Sequence, residues 1–374
     1  MKSITILLKP TEECNFRCKY CYHADTDFIK GRMTIPLFEE IISKTTSCYD
    51  KINITFHGGE PLLMGYDFFK SALSIIEKYK KDGQTWRLGI QTNGYYLNED
   101  FCELFKQHEV SPSISFDGPN ELNCLRNKTE EVTNNIINLR EKGYDINILG
   151  VITRRNIFHL RQYYEFAKKH GCPCKLNPVF RSGGAKEEND YLITADDYIE
   201  AIKDLLPIWL TDKDMNSHFD PLTSLTYMAI LNKNAPVCEY CGCLSKWIAI
   251  SYDGTLYPCS RSYPEEYCLG NIKEYDCLSM AFQSPGFTKL LIGAIERRNY
   301  CKENCDIYNV CHGGCNNDSI LNGNVTRPSG FKCIVYKTII PFIKEFILDN
   351  EYIISNPQVK LILKKYHDGQ HNDK

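Results

Sequence analysis

The chain has no long run of like charge. Its 44 lysines and arginines stand against 47 acidic residues, a formal net charge of -3. No basic stretch supplies the electrostatic footprint that a nucleic-acid binder needs. A charged-then-apolar leader is also missing, since Met1 to Leu8 holds only a short apolar run that ends at Lys9-Pro10. No apolar run can span a bilayer. The most apolar late stretch, Ile339 to Ile354, is broken by Lys344, Glu345, Asp349, Asn350 and Glu351, and reads as a packed amphipathic helix. Low-complexity segments and repeats of solenoid length are absent too. Nucleic acid and membrane are therefore excluded as partners, and a cytoplasmic location is expected.

Cysteine is what the chain has in excess. The 374 residues include 19 cysteines, an odd number, unevenly placed. Without an export signal, and in a chain this large, a disulfide framework is the weaker reading. Clustered thiols in a reducing compartment more often bind metal. Hydrophobic residues at 43% and charged residues at 24% allow an ordinary soluble core.

Short apolar runs alternate with amphipathic ones over the first 180 residues. Candidate strands are Ile4–Leu8, Ile52–His57, Trp86–Gln91, Ser113–Phe116, Ile146–Ile152 and Lys175–Pro178, with helical patterns near 36–47, 66–81, 98–108, 130–142 and 157–170. This order predicts parallel strands with right-handed crossovers, hence an α/β barrel or open sheet. The chemically distinctive residues follow strand ends, where such folds gather their active sites. A Gly-rich charged loop (Arg181 to Asn189) and a helical region from about 194 to 232 come next. From Cys238 to Cys333 there are 11 cysteines in 96 residues, with few long periodic segments. Such a region needs cross-links or metal in place of a large apolar core. The expected divisions are a core over 1–190, a helical connector over 191–234, a metal-stapled domain over 235–335, and a C-terminal helix and tail over 336–374.

Cys14, Cys18 and Cys21 form a Cys-x3-Cys-x2-Cys loop directly after the first strand. Three thiolates on one tight loop can hold three corners of a 4Fe–4S cubane and leave the fourth iron open. A zinc site, closed by His23 nearby, is the competing reading. These cysteines, with Tyr20 before the last, resemble the signature of the radical S-adenosylmethionine (SAM) superfamily. The resemblance implies a partial (β/α)6 TIM-type barrel, an open iron that binds SAM, and a 5′-deoxyadenosyl radical that abstracts hydrogen from substrate. Gly58-Gly59-Glu60-Pro61 resembles the family's GGE motif, which holds the methionyl amino group. Asn93, in Gln91-Thr92-Asn93-Gly94, and Ser115 and Asp117, in Ser115-Phe116-Asp117-Gly118, resemble segments lining the SAM site. Arg126 is a candidate partner for the SAM carboxylate, because a guanidinium matches it bidentately.

Cys243 followed by Gly254 and Cys259, then Cys301, Cys305, Cys311, Cys315 and Cys333, resembles the SPASM domain, which binds two auxiliary 4Fe–4S clusters. By that resemblance Cys243, Cys259, Cys315 and one of Cys238 or Cys241 hold one cluster. Cys301, Cys305, Cys311 and Cys333 hold the other, which makes three clusters in all. Three residues separate Cys301 from Cys305, where the family has two. A pair of zinc sites is the alternative that spacing leaves open.

Enzymes with this pair of domains mostly modify peptides or proteins and draw electrons from flavodoxin- or ferredoxin-type donors. The leading expectation is a maturase of a ribosomally made peptide. The runner-up is an anaerobic sulfatase maturase, which makes formylglycine from Cys or Ser. It ranks second because those enzymes carry an Asp base after the Gly-x4-Cys cysteine, where this chain has Ser260. Asp220 is another candidate base, although an Asp before Pro is more often a helix cap. An iron–sulfur electron carrier is the non-enzyme alternative. Many peptide maturases begin with a leader-gripping module, and a first strand at residue 4 leaves no room for one here.

Overall fold

The computed structural model describes residues 2–23, 31–186, 190–235, 237–238, 242–261 and 263–372. Six parallel strands alternate with helices: β1 (Ser3–Thr11), α1 (Ile35–Thr46), β2 (Lys51–Gly58), α2 (Tyr66–Tyr79), β3 (Thr85–Thr92), α3 (Glu99–Gln107), β4 (Val110–Ser115), α4 (Thr129–Glu141), β5 (Asn147–Ile152), α5 (Leu160–Lys169) and β6 (Cys174–Pro178). Alternate residues of β2 are buried, with Ile52, Ile54 and Phe56 fully inside. Helix starts carry capping side chains: Thr34 accepts from the Leu37 N–H, and Asn98 from the Phe101 N–H. Phe38, Phe56, Phe69, Phe101 and Phe105 meet mostly edge-on between β2 and the helices that cover it.

Strands β1 to β6 are the partial barrel of the expected α/β class. Three short strands enlarge it: β7 (Phe219–Asp220), β8 (Trp247–Ile250) and β9 (Leu256–Tyr257). The sheet order is β7-β6-β5-β4-β3-β2-β1-β8-β9. Strand β8 lies parallel to β1, Thr5 opposite Trp247, and β9 turns back antiparallel. The cysteine-rich region therefore begins as a hairpin built onto the barrel edge.

Beyond β6 run α6 (Ala195–Thr211), α7 (Leu222–Leu231), α8 (Pro285–Asn304), α9 (Tyr308–Cys311), α10 (Asn316–Leu321), α11 (Gly330–Asp349) and α12 (Pro357–Asn372). Helix α11 packs on α6 and α7, and α12 on α7. The Ser355 and Asn356 N–H groups donate to the Leu210 carbonyl, and the Asn356 side chain to that of Trp209, fastening the last helix to α6. The 20 residues of α8 lie where few periodic segments were expected. Its buried face includes Gly293, Ala294, Arg297 and Cys301, while Ile292, Ile295 and Tyr300 are exposed, so hydrophobic periodicity is scrambled. Among the described residues no helix is long and apolar enough to cross a membrane.

Candidate active site

The carboxyl ends of β1 to β6 open on a cavity of about 470 Å³. Cys14, Cys18, Cys21, Tyr22 and His23 wall one side, followed by His57–Gly59, Gln91–Asn93, Ser115, Leu149, Val151, Asn177 and Val179. Phe180, Ser260 and Arg261 complete the wall. Of the sequence-predicted residues, Tyr20, Gly58, Gly59, Asn93, Ser115 and Arg126 line this cavity with the three cysteines.

The glycine pair is demanded by the chain itself. A Cβ on Gly59 would stand 2.2 Å from the Glu13 carbonyl oxygen, and one on Gly58, whose φ is +111°, the same distance from that of Thr11. The loop carrying the cysteines thus lies directly against these glycines.

Glu60 and Asp117 do not face the cavity. Glu60 is fully buried and takes three hydrogen bonds, from the Leu62 N–H at 2.9 Å, the Thr92 hydroxyl at 2.8 Å and the Asn93 N–H at 2.7 Å. Burial pushes its carboxyl up to about 7, although those donors oppose the rise. Asp117 accepts the Val151 N–H at 2.9 Å and the Tyr20 hydroxyl. Tyr20 in turn accepts from Arg126 Nη1 at 2.8 Å. Both carboxylates brace the wall from behind, a role their motifs do not reveal.

Two histidines also line the cavity: His57, which the motifs did not single out, and His23, which entered the sequence reading only as a zinc ligand. Burial lowers His57 to about 4 and His23 to about 2, so both rings are neutral. His57 Nδ1 accepts the Gly58 N–H at 2.8 Å, which leaves the ring proton on Nε2. Arg261 stacks its guanidinium 3.5 Å from the Phe180 ring centre and pairs with buried Asp318 at 2.6 Å. Lys332 meets the same carboxylate at 2.7 Å. Asp220 lies elsewhere, accepting from the Ser224 N–H and hydroxyl at the start of α7.

Two further sets of thiols lie near one another among the described residues. Burial raises the Cys243 thiol strongly, and the thiols of Cys315, Cys259 and Cys238 add to the rise. Cys241 lies outside the described residues. Burial pushes Cys311 up to about 12, with Cys333, Cys305 and Cys301 adding to it. Those four, together with Cys315, line one cavity of about 30 Å³. At the first site burial pushes Cys14 up to about 11 and raises Cys18 and Cys21. No disulfide joins the described cysteines to one another. Among the described residues no three metal-ligating side chains close on a single-ion site. Thiolate ligation would release these protons on loading. Arg126 adds an orphan, because its Nε is buried without a hydrogen bond among the described residues, on the wall where a carboxylate would fit.

The radical SAM superfamily pattern matches residues 8–167, and an iron–sulfur cluster-binding domain, SPASM, matches 238–316. The chain is a radical SAM enzyme. Its cofactors are 4Fe–4S clusters and SAM. This radical SAM/SPASM protein is 29% identical over 340 residues to the cysteine-type anaerobic sulfatase-maturating enzyme of Clostridium novyi, covering 84% of this chain and 88% of that one. A serine-type counterpart from Klebsiella aerogenes is 25% identical over 323 residues, covering 83% and 79%. Among solved structures, anSMEcpe with bound AdoMet matches with a TM-score of 0.82 at 22% identity, over 98% of this chain and 99% of that one. SuiB of Streptococcus suis, bound to its precursor peptide SuiA, matches at 0.62 and 16% identity, over 89% and 76%. At these identities the structural likenesses show the fold.

Proposed function

We propose that the protein oxidises a cysteine or serine side chain of a protein substrate to formylglycine, the chemistry of anaerobic sulfatase maturation. What carries this reading is end-to-end correspondence. The sulfatase-maturating relative from Clostridium novyi is matched over 88% of its length, whereas the peptide-modifying SuiB is matched over 76%. That ordering reverses the expectation from sequence, which put ribosomal-peptide maturation first.

In this reading Cys14, Cys18 and Cys21 hold the catalytic cluster. With cluster and SAM bound, the chemistry supplied is a 5′-deoxyadenosyl radical able to abstract a hydrogen atom. Arg126 would hold the SAM carboxylate, with Asn93, Ser115 and the Gly58-Gly59 backbone lining the same cavity, while Glu60 and Asp117 brace that wall. His57 presents its Nε2–H as a fixed donor to substrate. Cys243, Cys259 and Cys315 with one of Cys238 or Cys241, and the set Cys301, Cys305, Cys311 and Cys333, each hold an auxiliary cluster. A flavodoxin- or ferredoxin-type protein supplies electrons.

A second reading, modification of a ribosomally made peptide, is favoured by one observation. Ser260 places a hydroxyl on the cavity wall at the position where the sulfatase maturases carry a carboxylate. Anaerobic incubation with SAM, dithionite and sulfatase-motif peptides differing only in Cys or Ser separates the two. The proposal expects a peptide aldehyde, trapped by hydrazide and seen by mass spectrometry, formed together with 5′-deoxyadenosine. Uncoupled SAM cleavage with both peptides unchanged would sink it in favour of the second reading.

A further inference from the structure

Arg297 on α8 is wholly buried, with 0% exposure. Its Nε donates to the Gly313 carbonyl at 2.9 Å, and its two terminal nitrogens donate to the Val325 carbonyl and to Asn316 Oδ1. All three acceptors are neutral. No carboxylate among the described residues pairs with it, and Asp318, two residues beyond Asn316, is occupied by Arg261 and Lys332. An arginine stays protonated, and a buried charge without a counter-charge is strongly disfavoured.

The thiols of Cys315 and Cys301 lie near enough to act on this charge. Cys301 lies one helical turn further along the same face of α8 and is buried as well. Gly313 and Asn316, two of the acceptors, bracket Cys315 in the chain, and the Asn316 amide donates onward to Cys243 Sγ at 3.7 Å. The charge therefore sits against the Cys243 and Cys315 group, on the helix that ends in the other group.

We propose that Arg297 is the counter-charge of the auxiliary cluster held by Cys243, Cys259 and Cys315, and that it raises that cluster's reduction potential. The inference rests on the cluster reading above. A thiolate-ligated cluster is anionic and gains one further negative charge on one-electron reduction. A fixed cation in a low-dielectric surrounding stabilises the reduced form more than the oxidised one. Arg297 is a positioning and tuning residue here, since it ligates nothing.

The test uses the full chain with Cys14, Cys18 and Cys21 replaced by Ala, so that only auxiliary clusters titrate. After anaerobic reconstitution and iron counting, EPR-monitored redox titration compares this parent with added Arg297→Gln or Arg297→Lys. The glutamine variant is expected to show at least a tenfold lower reduced-to-oxidised ratio at a fixed potential, ~59 mV for a one-electron couple. The lysine variant, which keeps the charge, is expected to stay close to the parent. A glutamine variant with full iron and the parent's potential would overturn the inference and leave Arg297 a loop clamp. Equal loss of iron from both variants would overturn it too, because lysine retains the charge. A parent without auxiliary iron would instead overturn the cluster reading itself.

Discussion

Asn93 gives its backbone N–H to Glu60 Oε2 at 2.7 Å, fastening the exit of β3 to the exit of β2 behind the cavity wall. With the Thr92 hydroxyl and the Leu62 N–H on the other oxygen, one buried carboxyl holds three donors.

Glu60→Gln puts an amide where only acceptors fit, so at least one buried donor faces another. The expected cost is about 1–3 kcal/mol, read by chemical denaturation. The pH dependence follows from the raised carboxyl. Folded Glu60 keeps a proton up to about 7, while the unfolded group releases it near 4.5. Its contribution is full below 4.5 and is lost as pH rises to about 7. The glutamine variant should lack that part of the slope.

Tyr20→Phe removes the hydroxyl linking Arg126 to Asp117. Asp117 Oδ2 then loses a buried donor and Arg126 Nη1 an acceptor. A loss of about 1–3 kcal/mol is expected. Because both side chains brace the candidate SAM wall, weaker SAM binding by isothermal titration should accompany it. Unchanged affinity would detach this trio from the cofactor site.

The local motifs were legible because their chemistry is local. The Cys14, Cys18 and Cys21 spacing and the Gly58-Gly59 pair follow strand ends, and that placement alone predicts a site at the barrel's carboxyl edge. Which side chains face inward was not legible: Glu60 and Asp117 turn behind the wall through bonds to residues 33 to 97 positions away. Arg261 and Phe180 meet across 81 positions, beyond any motif. Helix α8 stayed hidden because its inner face uses Gly293, Ala294, Arg297 and Cys301. Strand β8 is four residues long and acquires its meaning only from its neighbour β1.

Asp220 acts at a helix start. Burial pushes its carboxyl up, but His218, Lys175 and the Ser224 hydroxyl outweigh this and hold it below the usual 3.8. Its stabilisation is present above 3.8 and is lost as pH falls through the depressed folded value. Asp220→Ala should cost about 0.5–2 kcal/mol, as loss of a cap does. Product formed per folded enzyme should stay unchanged, whereas a selective fall in turnover would restore Asp220 as a base.

The most direct measurement is iron and sulfide per chain after anaerobic reconstitution, followed by SAM and dithionite with an assay for 5′-deoxyadenosine. Three cubane clusters predict about twelve irons with SAM cleavage, falling to about eight irons and no cleavage when Cys14, Cys18 and Cys21 become Ala. About four irons with zinc in the second cysteine region would contradict the auxiliary clusters. Continued cleavage by the triple variant would contradict the catalytic site itself.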